Sequence, residues 1–367
     1  MNDFDEAAMF DFHVDVLRIA VSICNHALAN HFDHDKDTHK ILKAFTTSYI
    51  ETVVGYVGNE NAMLFELTPE TAYGKLRKQL KKMAKKNSVS KQLGKFTTIA
   101  KNATKRSFLK GTDGEPHHKT RLARVDPDTE AKIRAAFTST NYGATMMKLS
   151  WNVRQWDDEF FRVLDVAERV GSGVGSFGVS RYYVLLQGSD SLLEEDDKEG
   201  NAIILDVKFE PKGAVERVLS ENDRAWYNNL FQHPADRVAQ GQRRLTSYTD
   251  PFTGWVTIDD QVFGVRQRSP WKDSIDLDKL LDVDDFEDFV AQIAIATATS
   301  HVRGSPAMPP ADFKTVIHSI MESSVNRREW GHGVEKFARA YHEQVLLDYE
   351  CFANFVKEKY GNTTDAK

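Results

Sequence analysis

Cysteine is scarce in this sequence, two residues in 367, and both Cys24 and Cys351 fall in apolar helical patterns without metal-ligand spacing. That excludes a disulfide framework and a zinc site, and both thiols are expected as buried packing residues. Long apolar runs are also missing. Nothing approaches the roughly 20 consecutive apolar residues of a membrane helix. The start, Met1-Asn-Asp-Phe-Asp-Glu6, is acidic and lacks the positive and apolar regions of a signal peptide. The expectation is a cytoplasmic chain with no membrane partner. No nucleophile elbow, internal repeat or low-complexity linker is present.

What remains is an ordinary globular balance, 41% hydrophobic and 28% charged, in a chain long enough for two lobes. Charge is unevenly spread. The stretch from Lys75 to Arg124 holds sixteen Lys or Arg against two acids, Asp113 and Glu115, leaving 32 basic and 52 acidic residues elsewhere. Such a block serves either as a nucleic-acid or polyanion surface or as a solvated helical face. Leu76, Leu80 and Met83, spaced as one buried stripe, favour the solvated face. Histidines cluster at His31, His34 and His39 beside Asp33, Asp35 and Asp37, and again at His117 and His118. Both sets are expected as polar turns rather than metal sites.

Apolar spacing predicts two amphipathic helices over residues 10 to 58, meeting at the polar turn His31 to Asp37. Further helices are expected from Thr68 to Ala136, broken by the loop Lys110 to His118. The pattern changes after Trp156. Phe160 to Val170, Ser180 to Gln187 and Ala202 to Phe209 read as strands, with an acidic loop, Ser189 to Gly200, before the third. Ala214 to Glu221 and His233 to Ser247 look helical, Trp255 to Gln267 reads as a strand pair around Asp259 and Asp260, and the chain is helical from Asp285 onward. The fold class is therefore α+β. The expected domains are a helical region over residues 1–155, a β-rich region over 156–275 and a second helical region over 276–367.

The chemistry rests on Gly171-Ser-Gly-Val-Gly-Ser-Phe-Gly178, which contains Gly173-x-Gly175-x-x-Gly178. This spacing serves both dinucleotide sites and the phosphate-covering loop of kinases, because backbone must approach phosphates with no side chain between. A dinucleotide motif opens a helix, whereas the kinase loop is a hairpin turn followed by a strand. Arg181 to Gln187 reads as a strand and so favours the second. A kinase also needs a lysine on the next strand, and Lys208 meets that requirement. Glu216 is the expected partner that orients it, with Glu210 as the alternative. Ser180 departs from the valine usual at that position, and a glycine-rich hairpin with a snorkelling lysine is the alternative reading. Arg266 and Gln267, where a strand leads out of the β-rich region, are candidates for contact with a nucleotide base or for a lobe-bridging polar network. Ser176 belongs to the glycine turn, and Asp3 and Asp5 offer hard oxygen ligands for a metal.

Asn2-Asp-Phe-Asp-Glu-Ala7, Val14-Asp-Val-Leu-Arg18, Val163-Leu-Asp-Val-Ala-Glu-Arg-Val170 and the glycine turn together resemble the bacterial family called domain of unknown function 2252. So do Asp236-Arg-Val-Ala-Gln-Gly-Gln-Arg243, Val265-Arg-Gln267 with Lys272, and Phe337-Ala-Arg-Ala-Tyr-His-Glu-Gln344 with Asp348-Tyr349, covering nearly the whole chain. That family looks like a relative of the protein-kinase-like superfamily that includes aminoglycoside phosphotransferases. The resemblance implies a two-lobed, circularly permuted kinase-like fold, with helical segments from both termini and the β-rich lobe in the middle. It implies ATP and Mg2+ as cofactors, with a nucleotide partner and an unknown acceptor. Asp3 resembles the metal-binding Asp, and Asp15 with Arg18 resembles the structural turn that follows it. Members of the family usually carry a Gly-Asp-x-His-x-x-Asn-Phe-Gly segment upstream of Asn2; this chain begins inside that region. The resemblance therefore assigns no residue here as catalytic base, and the expected activities are phosphotransfer from ATP or, alternatively, non-catalytic nucleotide binding of the pseudokinase or scaffold kind.

Overall fold

The computed structural model describes residues 4–33, 35–99, 105–112, 115–148, 158–171, 178–188, 202–305 and 307–361. In chain order its helices are α1 (His13–Ala29), α2 (Lys36–Gly55), α3 (Asn61–Leu64), α4 (Gly74–Lys86), α5 (Val89–Phe96), α6 (Pro127–Ala136), α7 (Ala144–Lys148), α8 (Glu221–Asn228), α9 (Pro234–Leu245), α10 (Val283–Gly304), α11 (Phe313–Ile320) and α12 (Ser324–Tyr360). The strands are β1 (Thr97–Ile99), β2 (Arg106–Phe108), β3 (Leu122–Ala123), β4 (Val163–Arg169), β5 (Arg181–Leu186), β6 (Ile203–Phe209), β7 (Gly254–Ile258) and β8 (Gln261–Gln267). They form two compact units, one of Met1–Met9 with Lys81–Ser274, the other of Phe10–Leu80 with Ile275–Lys367.

Among the described residues, the regular elements of the second unit are helices. The buried residues of α2, Ile41, Leu42, Phe45, Tyr49, Ile50 and Val53, recur every three or four positions and so share one face. That face packs on α10, whose buried stripe steps by four through Phe286, Val290, Ala294, Ala298 and Val302. Ala294 and Ala298 have no bulk to hold the two helices apart. Each large apolar side chain fully withdrawn from water here contributes about 1.5–3 kcal/mol. The turn between α1 and α2 forms as expected. His31 takes a left-handed φ of 60°, and the Asp33 carboxylate accepts from the Asp35 and Lys36 amides at 3.0 and 2.6 Å, opening α2. His39 lies 2.8 Å from Glu335 and thus serves α12. Asp15, on α1, sits 3.4 Å from His301, whose other ring nitrogen is 2.6 Å from the Tyr49 hydroxyl. Its hydrogen bond to His301 holds the Asp15 carboxyl below its ordinary value.

α12 runs for 37 residues, but only Val334, Ala338 and His342 are buried along it. Cys351 corrects the sequence reading. It is exposed, because the C-terminal half of α12 has lost its packing partners by that point, while Cys24 is buried as expected. Burial lifts the Cys24 thiol to a pKa of about 11.

The first unit is built on a six-stranded antiparallel sheet in the order β3-β4-β5-β6-β8-β7. β4, β5 and β6 lie where their β-branched and aromatic content places them. β7 and β8 are joined through Asp259 and Asp260, both with positive φ (48° and 63°). Two consecutive left-handed residues make the tight turn that matches strand twist, and Asp tolerates that conformation better than most side chains. Three short strands lie between residues 97 and 123, where the pattern predicts helix and loop. β-Branched Thr97, Thr98 and Ile99 pair with β2, and β3 adds to the sheet edge beside β4. There the Asp165 carboxylate accepts from the Phe108 amide at 2.7 Å and from Lys110 at 2.8 Å. That ion pair is a tertiary preference no local pattern announces. Lys110 is thus engaged internally rather than displayed. In the region read as helical from Ala214, only Ala214–Arg217 forms a single 3-10 turn, and α8 starts later, at the Ser220 cap.

The two faces of the sheet differ. Val166, Val184, Leu186, Ile203, Leu205, Val207, Phe263 and Val265 all belong to one buried cluster with Tyr142, Phe160 and Phe161. The other face is split: Ala167, Tyr183, Leu185 and Ile204 pack under Leu93, Phe96 and Phe108, Trp255 and Val262 pack with Ala235 and Ala239 of α9, and between these patches Asp206, Lys208, Arg181 and Arg266 carry charge.

Candidate functional site

β6 sets the site. Because successive side chains alternate across a strand, Ile203, Leu205 and Val207 enter the apolar cluster and Ile204, Asp206 and Lys208 face the opposite way. Lys208 stands in register with Arg181 on β5 and Gly264 on β8. The next amide, of Phe209, donates to the Ser180 carbonyl at 3.0 Å. The lysine is therefore at the end of the sheet where β5 begins, a few residues after the glycine-rich stretch. Gly171 and Gly178, at the ends of that stretch, have φ of 69° and 78°, a conformation that glycine adopts without the penalty a Cβ imposes. Gly173, Gly175 and Ser176 lie outside the described residues, as does Asp3.

Lys208 is only 7% exposed. Its ammonium pairs with the Asp5 carboxylate. Neither Glu216 nor Glu210, the partners expected from sequence, makes that ion pair. Glu216 lies on the 3-10 turn, 4.0 Å from Lys212, and the Ala214 amide at the start of that turn is taken by Glu6 at 2.6 Å.

Asp5 is positioned by α9. The Arg237 residue is 2% exposed and its guanidinium forks onto main chain, donating to the Ala7 carbonyl at 2.6 Å, the Asp5 carbonyl at 2.8 Å and the Pro211 carbonyl at 3.3 Å. One turn further along α9, a Cβ on Gly241 would sit 2.5 Å from the Ala7 Cβ. Only glycine lets the segment lie so close to the helix. The segment Asp5–Ala7 and the α9 stretch Arg237–Gly241, far apart in sequence, are thus one physical assembly.

Beside Lys208, Asp206 is 5% exposed and accepts a forked pair of bonds from Arg181, with the Nε bond at 2.6 Å. Arg266 approaches to 3.8 Å. Burial would raise the Asp206 pKa, but the Arg181 hydrogen bonds and the charges of Arg181, Arg266 and Lys272 outweigh it and hold the carboxyl below its ordinary range. The same crowding acts on Lys272, whose pKa is lowered by burial and by Arg181 and Arg266. Gln267 is fixed differently: its amide donates to Asp250, a carboxyl raised by burial.

Glu210 completes the arrangement. It is 5% exposed, and its Oε2 has no hydrogen-bond partner. Burial first, and the Asp5 charge second, push its pKa up to about 8 despite Lys208, Arg237 and Arg266. A Cβ at Gly264 would fall 2.9 Å from Glu210 Oε1, so the glycine leaves room for this carboxyl. Asp5, Asp206, Lys208, Glu210, Thr253 and Arg266 line a pocket of about 20 Å³. That volume suits one water or one ion. Among the described residues no group of three or more His, Cys, Asp or Glu is arranged to hold a metal. The donor set fits Mg2+ all the same, since Mg2+ takes one or two carboxylates and completes its shell with water and phosphate.

Asp206, Arg181, Arg237 and Gly241 belong to the site although sequence reasoning does not single them out for it. An Asp and a Lys two apart in an otherwise apolar strand is the available signal for the first. The described residues include no helix long and apolar enough to cross a membrane. A family model described as an uncharacterized protein conserved in bacteria matches residues 1–355. No curated protein and no solved structure matches the chain.

Proposed function

The chain belongs to that bacterial family, DUF2252, and from this premise we propose that it binds the phosphates of ATP with Mg2+ on the charged face of the sheet and acts as a kinase-like phosphotransferase. The observation that carries the proposal is Lys208: nearly buried, registered against Arg181 directly after the glycine turn, and ion-paired with Asp5. A lysine so confined is kept for an anion, because burying an ammonium without a compensating charge is costly.

The connectivity supports a kinase-like small lobe. A glycine-turn hairpin (β4, β5) leads to the lysine strand β6, helices intervene, and a second hairpin (β7, β8) ends where the chain leaves the sheet. Helical segments precede and follow this region in sequence, which is the permuted order the resemblance implies. In this reading the main chain of Gly171 to Gly178 covers the phosphates, and Lys208 pairs with their oxygens. Asp5, with Asp3 beside it in sequence, holds the metal. Arg266 and Gln267, at the end of β8, meet the base. Glu216 stays at the rim of this region. Bound Mg2+ would neutralise the charge that develops on the transferred phosphoryl group. Arg237 keeps Asp5 in place so that metal and lysine act on the same phosphates.

Calorimetric titration of the full chain with Mg-ATP tests this. One site is expected, weakened at least tenfold in Lys208→Met. No binding to the wild type, or equal affinity in both, sinks the proposal. Transfer is read separately, as Mg-dependent loss of the γ-phosphate; binding without it assigns the chain to the non-catalytic class.

A further inference from the structure

We propose that Glu210 and Thr253 complete, with Asp5, a site for one small divalent cation of the hard, oxygen-seeking class, Mg2+ or Mn2+. The inference rests on the reading of Asp5 as metal-facing given above and adds two ligands that no sequence motif assigned.

Two buried atoms point to a missing species. Glu210 Oε2 and Thr253 Oγ1 have no hydrogen-bond partner, their residues are 5% and 4% exposed, and both line the pocket that Asp5 also lines. Buried polar atoms are nearly always satisfied, so two orphans around one small void indicate that something polar belongs in it. The volume, about 20 Å³, admits a single ion or water.

Charge decides between them. Asp206, the third acid of the pocket, is already engaged by Arg181. Asp5 and Glu210 remain, two carboxyls lining one void beside the unpartnered Thr253 hydroxyl. A water cannot neutralise two carboxylates side by side, whereas a divalent ion does so while also engaging the Thr253 hydroxyl. Lys208 and Arg266 are the cations lining the same space. Arrival of the ion would turn the Lys208 ammonium from Asp5 toward the phosphate side. Two carboxylates and one hydroxyl leave open positions for water and phosphate oxygen, the pattern Mg2+ prefers.

The test uses Mn2+ alone on the full chain, with no nucleotide, following free Mn2+ by electron paramagnetic resonance. Wild type is expected to take up one Mn2+ per chain, displaceable by Mg2+. Glu210→Gln should weaken it at least tenfold, and Thr253→Val by a few-fold. If Glu210→Gln fails to fold by circular dichroism, Glu210→Asp replaces it with the same expectation. No Mn2+ uptake by wild type, or an affinity unchanged in the Glu210 variant, overturns the inference. Lys208-dependent ATP affinity measured in EDTA stands or falls independently, so failure of this site and failure of the nucleotide reading are distinguishable.

Discussion

Arg237 holds Asp5 by its backbone rather than by its charge: the guanidinium donates to the Asp5 carbonyl at 2.8 Å, while the Asp5 carboxylate is left to meet Lys208. One buried cation thereby fixes where a carboxylate it does not neutralise will stand.

Replacing Arg237 with Met leaves the Ala7 and Asp5 carbonyls without their buried donor. Each lost bond of that kind costs about 1–3 kcal/mol, so the variant should lose roughly 2–6 kcal/mol in urea unfolding. Mg-ATP affinity should fall with it under conditions where the variant remains folded.

Gly241→Ala sets two effects against each other. Alanine improves helix propensity by about 1 kcal/mol, but its Cβ would sit 2.5 Å from that of Ala7. Overpacking of that degree costs about 1–3 kcal/mol, so net destabilisation is expected. Adding Ala7→Gly removes the clash and should restore the melting temperature to wild type or above. Additive effects of the two substitutions would show that the close approach is not the cause.

Glu210 makes stability fall as pH rises. Its acid is lifted from an ordinary value of 4.5 to about 8, so across that window the folded chain keeps a proton the unfolded chain has released. Stability is lost progressively through the window and levels off above it. Glu210→Gln lacks this slope. Thermal melts in EDTA at pH 5, 7 and 9 should show the variant gaining on the wild type with each step; parallel curves would contradict the assignment.

Asp206→Asn strips the countercharge from Arg181, Arg266 and Lys272. Breaking a buried ion pair from one side costs about 3–5 kcal/mol. Chemical denaturation should register a loss of that order, larger than for Lys208→Met, which leaves Asp5 with partial access to water.

Local pattern makes much of this legible. The strand around Lys208, the Asp259–Asp260 hairpin and the paired helices α1 and α2 follow from residue type and period alone. Partnerships are not legible. Asp5 and Lys208 are 203 residues apart, and nothing near Glu216 shows that it lies on a 3-10 turn rather than on a helix facing the lysine. Strands β1 to β3 stay hidden because their short runs depend on Asp165 accepting from Phe108 and Lys110. Cys351 defies its pattern because helical period reports which side is apolar, not whether anything covers it.

The split character of β6 also constrains assembly of the sheet. A pairing error of one residue on a strand reverses both its faces, which here would carry Asp206 and Lys208 into the hydrocarbon layer and leave Leu205 and Val207 against Arg181 and Arg266. A slip of two would keep the faces but move Lys208 away from its place opposite Arg181. The charges on one face of the strand thus also act as a checksum on its alignment, rejecting near-native registers before the fold can settle into them.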